Sequence, residues 1–322
     1  MVSTMKCIHS GRRKVNHMFQ GSAVALITPF RDDAVDFAAL ETLIDFHVRN
    51  KTECVLVCGT TGESATLSHE EHKAIIRHSA EYIRSVRGEN KHPLLMAGTG
   101  SNNTKEALEL TRAAKQAGAD VALLITPYYN KPTQGGLLKH FRTLAREVDI
   151  PQVPYNIQGR TGVNISIETM VELSQEKNII GVKEASGNLS QISEVARLTG
   201  DDFYVWSGDD GLTLPILAVG GAGAISVTAN IVPQDVRAMV HAYLEGNLRQ
   251  ALAWHRKLSA LHQSLFYETN PIPVKTAVNL LSRTPEYGLP YCGELRLPMV
   301  PMTRSNEEKM KTVMKEYGLP VN

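Results

Sequence analysis

Eight short apolar runs recur along the chain, and longer amphipathic stretches separate them. Each run is almost continuously apolar, without the alternation of a strand that faces water on one side. This pattern is typical of a parallel sheet covered by helices on both faces. The predicted strands are residues 22–28, 53–59, 93–99, 120–126, 151–156, 179–184, 203–208 and 223–228.

The stretches between the predicted strands have helical periodicity. In residues 103–120, for example, Ala107, Leu110 and Ala114 fall on one helical face, and Gly118 marks the end of the helix. Eight strand–helix units favour a closed barrel over an open doubly wound sheet. An open sheet would also be expected to carry a GxGxxG motif after its first strand, and the chain has none there. The sequence therefore predicts an α/β protein with a (β/α)8 TIM barrel.

The pattern divides the chain into three segments. Residues 19–230 contain the strand–helix units, and residues 231–322 are helical in pattern, which predicts a C-terminal helical extension packed on the barrel. Residues 1–18 contain four Lys or Arg residues, no acidic residue and no apolar core of a secretory signal. We expect this segment to be a disordered basic tail, or the result of a start codon assigned too early, with Met18 as the true start.

Composition narrows the possible functions. The 322 residues are 43% hydrophobic and carry a formal net charge of +1, which disfavours binding to nucleic acid or to an anionic membrane surface. No apolar run is long enough to cross a bilayer. The four cysteines lack CxxC spacing, so neither a disulfide framework nor a zinc site is indicated. A reducing cytoplasm is the expected location.

Polar and ionisable residues follow the predicted strands directly. The second strand leads into GTTGES, the fourth into TPYYN and the fifth into YNIQGRTG, while the sixth ends on Lys183 after the apolar residues 179–182. The active sites of TIM barrels lie at the C-terminal ends of the strands. We therefore expect Lys183 to face a shared cavity together with hydroxyl groups, phenols and one arginine.

Metal-dependent chemistry has weak support. His69 and His72 of SHEEH are three residues apart, whereas the zinc-protease motif places its histidines four apart. Ser68 and Glu71 instead predict a capping box at the start of a helix. The adjacent aspartates of SGDD lack the further oxygen ligands that a cation would require. We therefore expect no metal site.

Amine chemistry remains. A free lysine has a pKa near 10.4, and desolvation among apolar neighbours lowers that pKa and frees the nucleophile. A Schiff base with a 2-oxo acid acts as an electron sink, which permits proton removal from the adjacent carbon and attack on an aldehyde. Tyrosine and threonine hydroxyls can carry the protons, and backbone N–H groups and an arginine can bind carboxylates. The predicted strand ends contain all of these groups.

The motifs GTTGES, TPYYN, YNIQGRTG, GVKEASGN, SGDD and ISVTAN, in this order, resemble those of the pyruvate-dependent class I aldolase family. The resemblance runs from about Phe19 to the C-terminus and includes NPIPVKTA and LRLPM. It implies a lyase without metal or organic cofactor, in which pyruvate forms an imine with Lys183. It further implies condensation of pyruvate with L-aspartate 4-semialdehyde in diaminopimelate and lysine biosynthesis, by a homotetramer of tight dimers.

Family roles carry over to the matching positions. Lys183 would form the Schiff base, and Tyr155 would be the main proton carrier. Thr60 would link Tyr155 to Tyr129, which in the family reaches in from the neighbouring subunit. Thr61 would bind the pyruvate carboxylate through its hydroxyl and its backbone N–H.

The remaining substrate contacts are implied in the same way. Arg160 would bind the carboxylate of the semialdehyde, and Gly208 and Ile225 would line the pocket with their carbonyl groups. The chain departs from the family in YNIQGRTG, where Gln158 replaces a proline, and Pro154 is an additional proline before the tyrosine. Because proline fixes φ and removes a donor, we expect both changes to alter local stiffness and the aim of the tyrosine and arginine.

The resemblance also implies an inhibitory L-lysine site at the tight-dimer interface. Glu106 would pair with the α-ammonium of the ligand, Tyr128 and Asn102 would hold its carboxylate, and His69 and His72 would face its ε-ammonium. The implied set is Ser64, Ala65, His69, His72, Asn102, Glu106 and Tyr128.

Two other functions stay open. One is another pyruvate-dependent lyase of this fold, such as N-acetylneuraminate lyase or a keto-sugar-acid aldolase or dehydratase. Arg160 favours the semialdehyde, because a short substrate with its own carboxylate requires a cation near the mouth, whereas a polyol requires neutral hydrogen bonds. The other is a non-catalytic ligand sensor, against which the intact set of lysine, tyrosine and threonine argues.

Overall fold

A computed structural model of the chain describes residues 18–88 and 92–321. The tail predicted at residues 1–18 lies outside the described residues, except for Met18. Eight parallel strands close into a barrel. They are β1 (Gly21–Ala25), β2 (Cys54–Val57), β3 (Leu94–Gly98), β4 (Val121–Ile125), β5 (Gln152–Asn156), β6 (Gly181–Glu184), β7 (Tyr204–Ser207) and β8 (Gly223–Ser226).

The prediction of a TIM barrel is confirmed. Each strand pairs with its sequence neighbours, and β1 pairs with both β2 and β8 to close the ring. A short antiparallel hairpin, Phe30–Arg31 with Ala34–Val35, follows β1. Because all eight barrel strands run the same way, their C-terminal ends form a single rim.

Twelve α-helices occur in the described residues, and local sequence explains where many begin and end. Asn103 caps the third helix through its side chain, and Gly118 ends that helix with a φ of 93°. The helices are α1 (Phe37–Arg49), α2 (His69–Val86), α3 (Thr104–Ala117), α4 (Gln134–Glu147), α5 (Gln158–Thr161), α6 (Ile167–Leu173), α7 (Leu189–Thr199), α8 (Thr213–Ala218), α9 (Pro233–Leu244), α10 (Leu248–Ser264), α11 (Ile272–Leu281) and α12 (Arg304–Tyr317).

One buried cluster joins side chains from around the barrel, including Leu56, Met96, Leu123 and Trp206. Tyr155 belongs to the same cluster. Larger clusters lie between the strands and the helices. The predicted proton carrier is therefore part of the packed barrel, which fixes its position.

The C-terminal helices pack on the barrel and on one another. Helix α9 packs against β1 in the manner of a barrel helix, α10 packs on α9 and α12, and α11 packs on α12. The division of the chain at residue 230 stays a prediction. Within the described ranges, no helix is both long and apolar enough to cross a membrane.

Candidate active site

Lys183 lies in β6, directly opposite Tyr155 of β5. The ammonium nitrogen Nζ is 4.1 Å from the centre of the Tyr155 ring. Lys183 is only 5% exposed. The register of two neighbouring strands therefore brings the predicted nucleophile and the predicted proton carrier into contact.

Burial lowers the pKa of Lys183 from 10.5 to about 7. The charge of Asp210 opposes this change in pKa, and the charge of Arg160 adds to it. About half of the amine is thus neutral at pH 7, in the form that attacks a carbonyl.

Lys275 is a second buried lysine, and it differs from Lys183 in having a carboxylate partner. Its Nζ lies 2.7 Å from Oε1 of Glu63, and both side chains are almost fully buried. Burial lowers the pKa of Lys275 as well, but the Glu63 carboxylate opposes that change. Among the described residues, no carboxylate lies within ion-pairing distance of Lys183. Lys183 is therefore the better nucleophile of the two.

Burial also raises the pKa of the Tyr155 phenol well above its usual range. The phenol therefore keeps its proton at neutral pH. A protonated phenol beside an amine can donate to the oxygen that leaves when an imine forms.

Pro154 occupies a position that tolerates the loss of an N–H group. Gln152 pairs with Ile179, whereas Tyr155 pairs with Lys183, so the segment that includes β6 has one more residue between the two pairings. This is the arrangement of a β-bulge, where proline is accommodated. The additional proline is thus compatible with the contact between Tyr155 and Lys183.

The turn after β2 presents unpaired donors. The N–H of Gly62 donates to Gly59 at 3.1 Å, and the N–H of Glu63 donates to Thr60 at 3.1 Å. In the part of the chain that the structure describes, the N–H groups of Thr60 and Thr61 have no acceptor. Adjacent free N–H groups on a turn form a concave donor site for an anion such as a carboxylate.

Asn270 connects this turn to Arg160. Its side-chain Nδ2 donates to Oγ1 of Thr61 at 3.0 Å, and its backbone carbonyl accepts from Nη2 of Arg160 at 3.1 Å. Arg160 lies on the short helix α5 and is exposed, as is Gln158 at the start of that helix. Asn270 has no role in the sequence-based prediction, although it begins the quoted stretch NPIPVKTA.

Gly208 follows β7 and packs directly against Lys183. A Cβ atom at this position would lie 2.8 Å from Cε of Lys183, so a larger residue here would force the lysine side chain to shift. The N–H of Gly208 donates to the carbonyl of Glu184 at 2.7 Å. Ile225 lies in β8 and is buried in the barrel cluster. Both predicted lining residues are therefore at or near the rim.

The aspartates of SGDD have structural partners. Oδ2 of Asp210 accepts from the N–H groups of Val227 and Thr228 at 2.9 and 3.0 Å, and from the Thr228 hydroxyl at 3.1 Å. Asp210 thus connects the end of β7 to the end of β8. Across residues 18–88 and 92–321, no three His, Cys, Asp or Glu side chains form a group that could hold a metal ion.

Tyr129 is not brought into this cluster by the fold of a single chain. It is 90% exposed and has a φ of 71°, in the left-handed region that non-glycine residues seldom adopt. The fold thus holds a large aromatic side chain out in the solvent.

Four residues of the predicted effector site form two contacts. Nε2 of His69 lies 2.6 Å from Oε1 of Glu106, and the Asn102 amide donates to the carbonyl of Tyr128 at 3.2 Å. Burial raises the pKa of Tyr128, and the charge of Glu106 raises it further. His72 is buried, and its Nε2 lies 2.7 Å from the carbonyl of Gly98.

Three further predictions concern the segment before His69. Ser64 and Ala65 lie in a short 3₁₀ helix, Ser64–Thr66, that follows the turn after β2. The predicted capping box at Ser68 is confirmed, because its side chain accepts from the N–H of Glu71 and Glu71 accepts from the N–H of Ser68. The capping box and a ligand-facing role for His69 are compatible.

Known proteins match this chain over nearly its whole length. The family model of the dihydrodipicolinate synthetase family matches residues 18–317. The 4-hydroxy-tetrahydrodipicolinate synthase of Geotalea uraniireducens is 48% identical over 302 residues, which span 94% of this chain and 100% of the relative. The enzyme of the same name from Aquifex aeolicus is 50% identical over 305 residues, spanning 94% and 99%.

Solved structures give the same result. The crystal structure of dihydrodipicolinate synthase from Aquifex aeolicus matches with a TM-score of 0.88 at 49% identity, covering 94% of this chain and 100% of that chain. The Acinetobacter baumannii enzyme complexed with pyruvate matches at 0.87 and 40%, covering 94% and 100%. The Cyanidioschyzon merolae enzyme with lysine bound matches at 0.87 and 38%, covering 94% and 99%.

The fold and the site define the class, which is that of (β/α)8 lyases of the class I aldolase type. Within this class, the chain belongs to the dihydrodipicolinate synthetase family.

Proposed function

We propose that the protein is a 4-hydroxy-tetrahydrodipicolinate synthase, which condenses pyruvate with L-aspartate 4-semialdehyde. The observation that carries the proposal is a buried amine with a pKa of about 7, at the rim of the barrel and in contact with a protonated phenol. Relatives that share about half of their sequence with the chain bear this name.

The reaction follows from these groups. The neutral amine of Lys183 attacks C2 of pyruvate, and the carbonyl oxygen leaves as water after protonation by Tyr155. Loss of a proton from C3 gives an enamine, whose C3 forms a carbon–carbon bond with the aldehyde of the second substrate. The amino group of that substrate then attacks C2, displaces Lys183 and closes the ring. No metal or organic cofactor takes part in this scheme.

Two groups of residues would hold the substrates. The free N–H groups of Thr60 and Thr61, with the Thr61 hydroxyl, would bind the pyruvate carboxylate. Arg160 would bind the carboxylate of the semialdehyde, and its contact with Asn270 supports this role because Asn270 also contacts Thr61. A polyol substrate, as in a sialic acid lyase, would leave that cation without a partner.

Borohydride reduction in the presence of pyruvate tests the nucleophile. The peptide that contains Lys183 should gain the mass of a reduced pyruvyl group, and Lys275 provides an internal control because it is also buried. No adduct, or an adduct on Lys131 or Lys275, would refute the mechanism. Assay with both substrates, and with N-acetylneuraminate in their place, separates the proposed reaction from its rival.

We also propose that L-lysine inhibits the enzyme at the cluster of His69, Glu106, Asn102 and Tyr128. The proximity of these side chains supports the site, as does a relative whose structure has lysine bound. Tyr128 adjoins Tyr129 in the chain, so a bound ligand would act close to the proposed proton relay. L-lysine should therefore inhibit without competing with pyruvate.

We further propose a homotetramer of tight dimers, in which Tyr129 enters the partner's site and joins Thr60 and Tyr155. Its exposure of 90% and its left-handed backbone support this role, because they present the ring outwards. Sedimentation of wild type and of Tyr129→Phe, with activity measured in parallel, tests it. We expect both proteins to form the same oligomer and the variant to have a lower kcat.

The proposed location is the cytoplasm, where the buried cysteines Cys54, Cys58 and Cys292 would remain reduced.

A further inference from the structure

The turn that follows β2 is held in a conformation that its own sequence disfavours. Glu63 has φ and ψ of 54° and 34°, in the left-handed region, where a side chain is sterically costly. Such a residue persists only where surrounding contacts fix it, and it points to a functional constraint. The contacts that fix Glu63 therefore bear on the neighbouring residues Thr60 and Thr61.

In the part of the chain that the structure describes, the side-chain carboxylate of Glu63 is held by the C-terminal extension. Its Oε1 accepts from Nζ of Lys275 at 2.7 Å, and its Oε2 accepts from the backbone N–H of Arg296 at 3.0 Å. The side chains of Glu63 and Lys275 are 2% and 1% exposed, respectively. Each carboxylate oxygen of Glu63 thus accepts a hydrogen bond, and both Glu63 and Lys275 are shielded from water.

Lys275 is equally fixed. Its Nζ also donates to the carbonyl of Glu294 at 2.9 Å and lies 4.2 Å from the centre of the Phe30 ring. Five residues earlier in the same segment, Asn270 donates to the hydroxyl of Thr61 at 3.0 Å. One stretch of the extension, Asn270 to Lys275, therefore contacts the turn at both Thr61 and Glu63.

We propose that Lys275 and Glu63 are positioning residues, and that their buried ion pair holds the Thr60–Thr61 turn in the shape that binds the substrate carboxylate. The C-terminal extension is then a part of the active site, although its residue Lys275 does not touch the substrate. This inference rests on the proposed function, since it assigns the turn to pyruvate.

The physical reason is the behaviour of a stranded charge. If Lys275 loses its amine, the Glu63 carboxylate remains buried beside apolar groups with one partner missing. It would move towards water or take up a proton, and in both cases the ion pair that holds Glu63 in its left-handed conformation is lost. The backbone next to Thr61 is then free to shift. The N–H groups of Thr60 and Thr61 then no longer converge on one anion.

The test measures the pyruvate concentration that gives half-maximal imine trapping, together with kcat, KM and the melting temperature. Lys275→Met should raise the half-saturating pyruvate concentration and KM by about tenfold or more, because the turn binds the carboxylate less well. Trapping on Lys183 at saturating pyruvate should still reach completion. The double variant Glu63→Gln/Lys275→Met strands no charge, so it should recover most of the melting temperature. It also lacks the ion pair that holds the turn, so it should still show the raised KM.

Arg237→Met is the matched control. Arg237 pairs with the largely buried Glu53 at 2.8 Å, at the opposite end of the same strand β2. It should lower the melting temperature and leave the KM for pyruvate unchanged.

The outcomes separate this inference from the proposed function. A wild-type protein that forms no imine with pyruvate would overturn both. Imine formation in the wild type, with an unchanged half-saturating concentration in Lys275→Met, would overturn the positioning role alone. If Lys275→Met does not fold, the double variant decides, since a wild-type KM in that protein would show that the ion pair does not hold the turn.

Discussion

Replacing Lys183 with methionine is expected to abolish imine formation and to make the folded protein more stable. Lys183 is only 5% exposed, and burial lowers its pKa from 10.5 to about 7. Methionine has a similar length and no charge to desolvate. The variant therefore removes the free-energy cost of burying the amine and leaves little empty space.

The magnitude follows from the change in pKa. One pKa unit corresponds to about 1.4 kcal/mol, so protonated Lys183 destabilises the folded state by about 5 kcal/mol. At pH 7 the amine is about half neutral in the folded protein, which reduces the destabilisation to about 4 kcal/mol.

The sign of the pH dependence is fixed by proton uptake. Between pH 7 and 10.5 the unfolded chain holds a proton on Lys183 that the folded protein has released. Stability contributed by this group therefore rises with pH across this window, and the destabilisation is fully present below it. The advantage of Lys183→Met should fall to about 3 kcal/mol at pH 8.5 and about 1 kcal/mol at pH 10.

Urea unfolding at fixed protein concentration and at pH 6, 7, 8.5 and 10 measures this difference. Lys275→Met is the control, with the opposite sign, because it strands Glu63 in the interior and should destabilise the protein by about 3–5 kcal/mol. A Lys183→Met protein that is no more stable than wild type, or whose advantage does not change with pH, would refute the reasoning.

Three further predictions address the substrates, the effector and the pocket. Arg160→Ala should lower kcat/KM for the semialdehyde by about 10- to 150-fold, as for one charged hydrogen bond, and equal loss of pyruvate trapping would contradict the assignment. Glu106→Ala should raise the L-lysine concentration for half-inhibition at least about tenfold, and an unchanged value would show that Glu106 does not bind the ligand. Gly208→Ala places a methyl group 2.8 Å from Cε of Lys183 and should lower kcat by about 100-fold, whereas wild-type kcat would show that the lysine side chain can shift harmlessly.

The barrel and the position of Lys183 were predictable because they depend on local patterns. Eight continuous apolar runs indicate eight buried strands, and the rule that the strand ends converge places the residue after an apolar run at the rim. The structure confirms the barrel and shows Lys183 opposite Tyr155. The capping box at Ser68 was predictable for the same reason, since its two residues are only three positions apart.

The support of the site was not predictable in this way. Asn270 contacts Thr61 across 209 positions of sequence, and Lys275 contacts Glu63 across 212. Neither contact has a period or a spacing that marks it, because each depends on how the extension packs on the rim. Both segments, GTTGES and NPIPVKTA, have recognisable sequence motifs, but only the fold shows that they are in contact.

The effect of Pro154 was also outside the reach of local rules. A proline within a buried strand normally argues against that strand, because it removes a ladder hydrogen bond. Here the extra residue on the neighbouring strand forms a bulge where no such bond is required. The expected change in local stiffness stays a prediction, and the contact of Tyr155 with Lys183 is present.

Asp210 raises the question of why a carboxylate lies near an amine that has to be neutral. Its charge raises the pKa of Lys183 and so opposes the effect of burial. At a pKa of about 7, removing that charge would increase the neutral fraction at pH 7 by at most about twofold. Removing the carboxylate would also weaken three hydrogen bonds to Val227 and Thr228, each worth about 1.5–3 kcal/mol. The second effect is larger, so Asp210 serves the site mainly by fixing the end of β8 against β7, and the amine tolerates its charge.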